Sequence, residues 1–383
     1  MPGQGERDIV FSFAYASWGT AVARGMCFSE DRMVETLLGH PEVRRLLVAE
    51  TPRSLPVKLA RDRLQPPPPF PATEAASLYG PVRLWRQDPQ RLGAIERSFR
   101  VWDAQLRRVA ARRGLERPAL ITTHPLIAGF APLEWASSVT FYAYDDLAES
   151  QPLRCLWPAY REAYRRIRES GRGVAAVSPA ILDVIQPTGP SAVVPNGVDP
   201  AEWEAPGSPP GWFADLPGSR LLYVGSLESR VDVGAIAAAA AKLPDASFAL
   251  VGPLLDRAHF EPLRALPNVR FFPPVSRAEV VALVAAADAC LIPHVDSPLT
   301  RSMSPLKLYE YLAGGAPVAA LDLPPIRDVS PRVVIRDDLT EAIAAALALG
   351  HGPEQERRAF AQANSWRQRQ ERIVRMALDP VGP

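Results

Sequence analysis

From residue 220 onward, short apolar runs alternate with helical patterns, and no other feature restricts the fold of this chain as much. Runs at 220–224, 248–251, 269–272, 289–292 and 317–321 have the length and composition of strands buried on both faces. An alanine-rich helix at 233–243 and a second helix at 278–287 lie between them. Strand and helix in alternation predict an α/β fold built on a parallel, doubly wound sheet.

The end of that series is a single stretch, SPLKLYEYLAGGAPVAA at 304–320, which joins a helix to a strand. Ser304 suits an N-cap and Pro305 the first helical position, with Gly314 as the C-cap. A capping box would place Glu or Gln at the third helical position, but here it is Lys307. A cation at the positive end of a helix is unfavourable unless it holds something anionic. The free backbone N–H groups at the helix start that Ser304, Pro305 and Leu306 form, the Ser304 hydroxyl and the Lys307 ammonium together make a phosphate site. Glu310 shares the face of Lys307 and offers a carboxylate to a ribose. Spacing alone leaves an ordinary buried helix open, because Leu306, Leu308, Tyr309, Tyr311 and Leu312 are apolar.

The first half repeats the pattern less regularly. A strand at 8–14 leads to Trp18, Gly19 and Thr20, at the carboxyl end where open α/β sheets receive ligands. Trp18 is either an acceptor-stacking platform or packing, and Gly19 either part of that ligand loop or a simple turn. A second strand at 45–49 precedes the extended spacer Pro66–Pro69. Leu92, Ile95, Phe99, Trp102, Leu106 and Val109 then draw one apolar stripe on a helix over 91–113 whose other faces carry arginines. Such a helix docks peripherally on anionic lipid or presents a solvated arginine face over the core, and Tyr160, Tyr164 and Ile167 with Arg161, Arg165 and Arg166 pose the same choice. His124 follows a strand at 119–122, and Asp145 and Asp146 follow one at 139–144. Polar groups after adjacent parallel strands converge on one crevice, although singly each could be a loop or capping residue. The adjacent aspartates lack D-x-D spacing, so no metal is implied.

Strands at 174–177 and 192–194 precede PNGVD at 195–199, which reads as a sharp turn through Asn196 and Gly197. The Pro- and Gly-rich stretch 206–217, with two exposed-looking aromatics, reads as an interdomain linker. One last helix is predicted over 354–378, with Phe360, Trp366, Ile373 and Leu378 along a buried seam and a loose end beyond Asp379.

Composition sets outer limits. A chain of 383 residues predicts two domains, and a net charge of +1 provides no global field for nucleic acid or membrane. Cys27, Cys155 and Cys290 are far apart and lack CxxC spacing, which predicts buried structural thiols rather than disulfides or zinc. MPGQGERD lacks an apolar signal region and no run reaches spanning length, so a soluble, cytoplasmic protein is expected. Nothing specifies an oligomeric state.

Five segments together resemble the GT-B glycosyltransferases, most closely the retaining glycosyltransferase family four, which includes cytosolic enzymes of teichuronic-acid and natural-product glycosylation. They are PNGVD, LLYVGSLESRVD from Leu221, FALVGP from Phe248, NVRFFPPVSRAEVVALVAAADACLIP from Asn268, and SPLKLYEYLAGGAPVAA. The resemblance implies two facing Rossmann-like domains: an acceptor domain at 1–204 completed by helix 354–378, and a nucleotide-sugar domain at 205–353. It assigns Arg230 and Lys307 to the donor diphosphate, with Gly225 and Ser226 opening the same loop. Glu310 goes to the ribose, the backbone of Pro274 and Val275 to the base, and His124 to the donor sugar. Trp18, Asp145 and Asp146 are left for the acceptor. Ser302 stands where the family pattern has a second acidic residue, and Gly19 alone represents a usual glycine pair. The expected activity is metal-independent transfer of a sugar from a nucleotide-diphosphate sugar, UDP-linked by expectation, to a hydroxyl or amine of a small molecule or cell-surface glycan. Retention is expected, with the departing phosphate taking the acceptor proton. Inversion with His124, Asp145 or Asp146 as base, an epimerase and a binding-only subunit stay open.

Overall fold

The computed structural model describes residues 7–64, 66–84 and 88–379. The MPGQGE start and the segment beyond Asp379 lie outside the described residues. Two compact units emerge, one running to Pro195 and resuming at Arg369, the other comprising Asn196–Gln368.

The first unit is built on seven strands: β1 Arg7–Ser12, β2 Val43–Ala49, β3 Ala76–Tyr79, β4 Ala119–Thr122, β5 Ser138–Ala143, β6 Gly173–Ala176 and β7 Ser191–Val193. They pair in the order β3-β2-β1-β4-β5-β6-β7, all parallel. Ile9 sits between Leu46 and Ala119 in register, and the central strands are buried on both faces, as their unbroken apolar runs require. Helix Leu92–Arg112 lays Ile95, Phe99, Trp102 and Leu106 on the sheet and exposes its arginines. Burying a side chain the size of Trp102 contributes about 1.5–3 kcal/mol.

The second unit has six strands: β8 Arg220–Val224, β9 Ser247–Val251, β10 Val269–Phe272, β11 Ala289–Ile292, β12 Val318–Ala320 and β13 Val333–Ile335. Their order, β10-β9-β8-β11-β12-β13, is again wholly parallel. Each sheet therefore reverses its strand order beside its first strand, the place where such sheets bind ligands.

Several expectations need correction. The stretch 206–217 is not a linker, because Phe213 and Leu216 are core residues of the second unit and Trp212 stacks on Phe272 with ring centroids 3.9 Å apart. The chain passes between units at Pro195 instead of near 204. Neither Asn196 nor Gly197 has positive φ; Gly197 is needed because the Asn364–Trp366 segment lies against it, with Asn364 O 2.7 Å from where a Cβ would be. That segment also splits the expected final helix into Glu354–Ala363 and Trp366–Leu378. Val198 N donates to Asn364 O and Trp366 N to Val198 O, so the break forms a bridge to the turn. Past the break, Ile373, Val374, Ala377 and Leu378 enter the first unit's core. Among the cysteines only Cys290 is buried; Cys155 is exposed.

Candidate active site

In the second unit the carboxyl ends of β8 and β11 flank the reversal point. Gly225 follows β8 at φ +146°, a conformation that side chains rarely adopt, and a Cβ there would lie 2.9 Å from Lys307 Nζ. Lys307 is the second residue of helix Leu306–Gly314. The helix start differs from the capping pattern expected of Ser304. Its hydroxyl accepts from Asn196 N at 3.1 Å, and Asn196 Nδ2 donates to Ser304 O at 2.6 Å. Pro305 becomes the N-cap and supplies no side-chain acceptor. The PNGVD turn has taken the hydroxyl, which leaves the first-turn N–H groups without a side-chain cap. At the other end Gly314 is the last helical residue and Gly315, at φ +86°, is the C-cap.

Lys307 Nζ stands 3.9 Å over the Tyr223 ring centroid and 3.4 Å from His294 Nε2, and among the described residues it has no ion-pair partner. Burial, and after it the Arg230 guanidinium, hold this ammonium well below the usual lysine range, against the pull of Glu228 and Glu310. Arg230 pairs with Glu228, its Nη1 lies 3.9 Å from Met303 Sδ, and its Nε is buried with no hydrogen-bond partner among the described residues. Of the two neighbouring cations, Arg230 is the one with a carboxylate at ion-pair distance among the described residues, Glu228, while Lys307 has none. The arrangement lacks negative charge.

Glu310, buried on the next turn, accepts from Arg277 Nη1 at 2.5 Å, and Arg277 Nη2 donates to Glu202 at 2.6 Å. Burial pulls the Arg277 guanidinium down, but Glu310 and Glu202 outweigh it and hold the group above its ordinary range. Arg277 opens the helix that follows Pro274 and Val275, so it links the expected base loop to the expected ribose carboxylate. Ser226 O accepts from Tyr223 Oη at 3.2 Å beside the same loop. Ser302 Oγ donates to Leu299 O at 2.9 Å and closes a short helix, Pro298–Ser302.

The first unit presents a different surface at its own reversal point, a cavity of about 940 Å³ lined by Tyr15, Trp18, Gly19, Glu50, Phe99 and His124 among others. His124 N-caps helix Pro125–Phe130, its Nδ1 accepting from Leu126 N at 3.1 Å. The ring proton therefore sits on Nε2. Tyr15 and Phe99 lie against the imidazole with centroids at 5.0 and 5.4 Å, and burial pushes its pKa down to about 3. Trp18 and Gly19 are not in a loop as expected but open helix Trp18–Ala23. The Trp18 indole donates to Pro69 O at 3.2 Å and meets Phe70 edge-on, so it is a packed wall. Gly19 is pressed against Pro67, 3.2 Å from a virtual Cβ.

Asp145 and Asp146 do not line this cavity. Asp146 accepts from Ala148 N at 3.0 Å and Tyr164 Oη at 3.1 Å, and burial raises its pKa. It secures the turn after β5. Tyr223, Glu228, Arg277 and His294 were not read from the sequence: Tyr223, Arg277 and His294 meet Lys307 or Glu310 from other segments, and only the position of His294 just after a strand signalled it.

Comparison with known proteins agrees with this layout. Residues 218–349 match the family model described as Glycosyl transferases group 1. A 106-residue stretch is 35% identical to the protein named for teichuronic acid biosynthesis, glycosyltransferase TuaH of Bacillus subtilis (strain 168), and spans 27% of each chain. The match thus covers about a quarter of that relative's length. Among solved structures, a UDP-forming trehalose-phosphate synthase from Burkholderia xenovorans in complex with glucose-6-phosphate superposes with TM-score 0.64 at 14% identity, covering 97% of this chain and 99% of its own. AviGT4, a glycosyltransferase of avilamycin A biosynthesis, does so with TM-score 0.58 at 15% identity, covering 97% of each chain. No helix among the described residues is long and apolar enough to cross a membrane. The chain thus shares the fold of these solved structures, and its residues 218–349 match the glycosyl transferases group 1 family model.

Proposed function

We propose that the protein transfers a sugar, with retention and without a metal, from a nucleoside-diphosphate sugar to a hydroxyl or amine of a small-molecule or cell-surface glycan acceptor. The observation that carries this reading is the pair of cations at the β8–β11 reversal, Arg230 and Lys307, beside a glycine whose Cβ would displace the lysine. A diphosphate supplies the charge this cluster lacks. As the bond from sugar C1 to the phosphate oxygen breaks, its electron pair moves onto the leaving diphosphate. Lys307, Arg230 and the uncapped helix start at Leu306 stabilise that charge. Glu310, oriented by Arg277, takes the ribose hydroxyls, and the backbone of Pro274 and Val275 takes the base. UDP is the favoured nucleotide, in keeping with the UDP-forming neighbour.

For the acceptor, the cavity beside Trp18 and His124 is the assigned site. His124 is a poor base there, since Nδ1 is occupied, Nε2 bears the proton and burial opposes charging. Asp146 is committed to Tyr164 and Ala148. These facts support front-face attack, in which the acceptor oxygen or nitrogen bonds to C1 and its proton passes to the departing phosphate oxygen. Thermal shift against UDP, GDP, dTDP and ADP tests the donor assignment, with one diphosphate expected to stabilise the protein and its nucleoside much less so. The anomeric configuration of the product tests the chemistry: an inverted product overturns front-face attack.

A further inference from the structure

His294 is joined to both cation-bearing segments. Its backbone forms an antiparallel bridge with Val231, flanked by Val295 N to Arg230 O at 2.9 Å and Asp232 N to Pro293 O at 2.7 Å. This fixes the loop from which Arg230 projects. Its side chain lies edge-on to Tyr223 at 6.2 Å and reaches Lys307 Nζ through Nε2 at 3.4 Å. We propose that His294 is the positioning residue of the diphosphate site, a neutral imidazole that accepts from Lys307 and aims its ammonium while its backbone holds the Arg230 loop.

Hydrogen-bond chemistry leads to this role. An ammonium has donors only, so Nε2 accepts and the ring proton sits on Nδ1. That Nδ1 is buried and has no hydrogen-bond partner among the described residues. An unsatisfied buried donor is costly, and a phenyl ring would pack against Tyr223 without that cost. The imidazole brings what the phenyl lacks, an uncharged acceptor for Lys307. A carboxylate in its place would neutralise the lysine and compete with the diphosphate, and a further cation would repel it. The other charged or titratable groups around Lys307 are Tyr223 beneath it, Glu228 and Arg230 on the loop after β8, and Glu310 on its own helix. Burial, then Lys307 and Arg230, keep His294 uncharged far into acid, so within the working pH range it acts by its lone pair.

This role rests on the diphosphate assignment, so the test separates the two. Wild type, His294→Phe, His294→Gln and Lys307→Ala are titrated calorimetrically from pH 6 to 10 with whichever of UDP, GDP, dTDP and ADP binds best, and with the matching nucleoside. His294→Phe, folded as judged by circular dichroism, is expected to weaken diphosphate binding by about tenfold, the worth of one hydrogen bond to a charged group, and to leave the nucleoside unaffected. Without its acceptor the ammonium loses its proton more readily, so the alkaline fall in diphosphate affinity moves to lower pH. His294→Gln, which keeps a carbonyl acceptor, restores most of the affinity. Should His294→Phe fail to fold, His294→Leu serves as the variant without an acceptor. Wild-type diphosphate affinity in the acceptor-less variant, equal losses for diphosphate and nucleoside, or no rescue by Gln overturns the role of His294 alone. Unchanged diphosphate binding in Lys307→Ala, or none in wild type, overturns the donor assignment and this role with it.

Discussion

The two units place a histidine at the same point of the same topology and use it differently. His124 comes two positions after β4 and His294 two positions after β11, each strand being the first beyond the reversal of its sheet. In the first unit the surroundings are aromatic, and burial alone keeps His124 neutral with its proton on Nε2. In the second they are cationic, and Lys307 and Arg230 add to burial while Nε2 accepts. One backbone position thus delivers a donor on an apolar wall in one case and an acceptor beside two charges in the other. Strand order decides where a ligand can sit; the neighbours decide what kind.

The comparison can be broken first through stability. Trp102→Ala, beneath Phe99 in the first unit, is expected to cost about 3–5 kcal/mol and lower one calorimetric transition, while the second unit still binds its nucleotide. Loss of both together would mean that the units are not energetically separable. Lys307→Ala is expected to reduce transfer by a factor corresponding to about 3–4 kcal/mol and to weaken the nucleoside diphosphate far more than the nucleoside. A rate within a few-fold of wild type would remove charge as the organising property of the second site. Gly225→Ala combines an unfavourable φ with a clash at Lys307 Nζ, and a loss of about 1–3 kcal/mol in stability, with weaker diphosphate binding, is expected in thermal and calorimetric titrations.

The smallest effect is the acid sensitivity of the histidines. Their folded pKa values lie below the unfolded value of about 6.5, so below that pH the unfolded chain binds protons that the native one does not. Their contribution is complete above about pH 6.5 and is lost as pH falls, by at most about 1.4 kcal/mol per pH unit for each histidine. For His124 the loss continues toward about pH 3. His124→Gln should flatten that limb in the first unit's transition and leave the share of His294; melting curves between pH 7 and 5 read the difference.

Much of the second unit was legible because its information is local. The strands at 220–224, 269–272 and 289–292 match β8, β10 and β11, and the electrostatic oddity of Lys307 at a helix start could be read from adjacent residues. Ser304 misled for a tertiary reason, since its hydroxyl serves Asn196, a residue remote in sequence. The first unit was harder. Strand β3 at Ala76–Tyr79 went unread because four residues, ASLY, carry no period, and the helix Trp18–Ala23 looked like a loop.

What the sequence determined by itself is the alternation of buried strands and helices and the residue types at the strand ends, because periodicity and capping act over a few residues. Only the tertiary structure decided which of those residues meet. The pairing of Arg277 with Glu310, the commitment of Asp146 to Tyr164 and the meeting of His294 with Lys307 depend on the strand order, which brings distant segments to one sheet edge. Side-chain chemistry is written locally, but its charge and its partners belong to the neighbours that packing supplies.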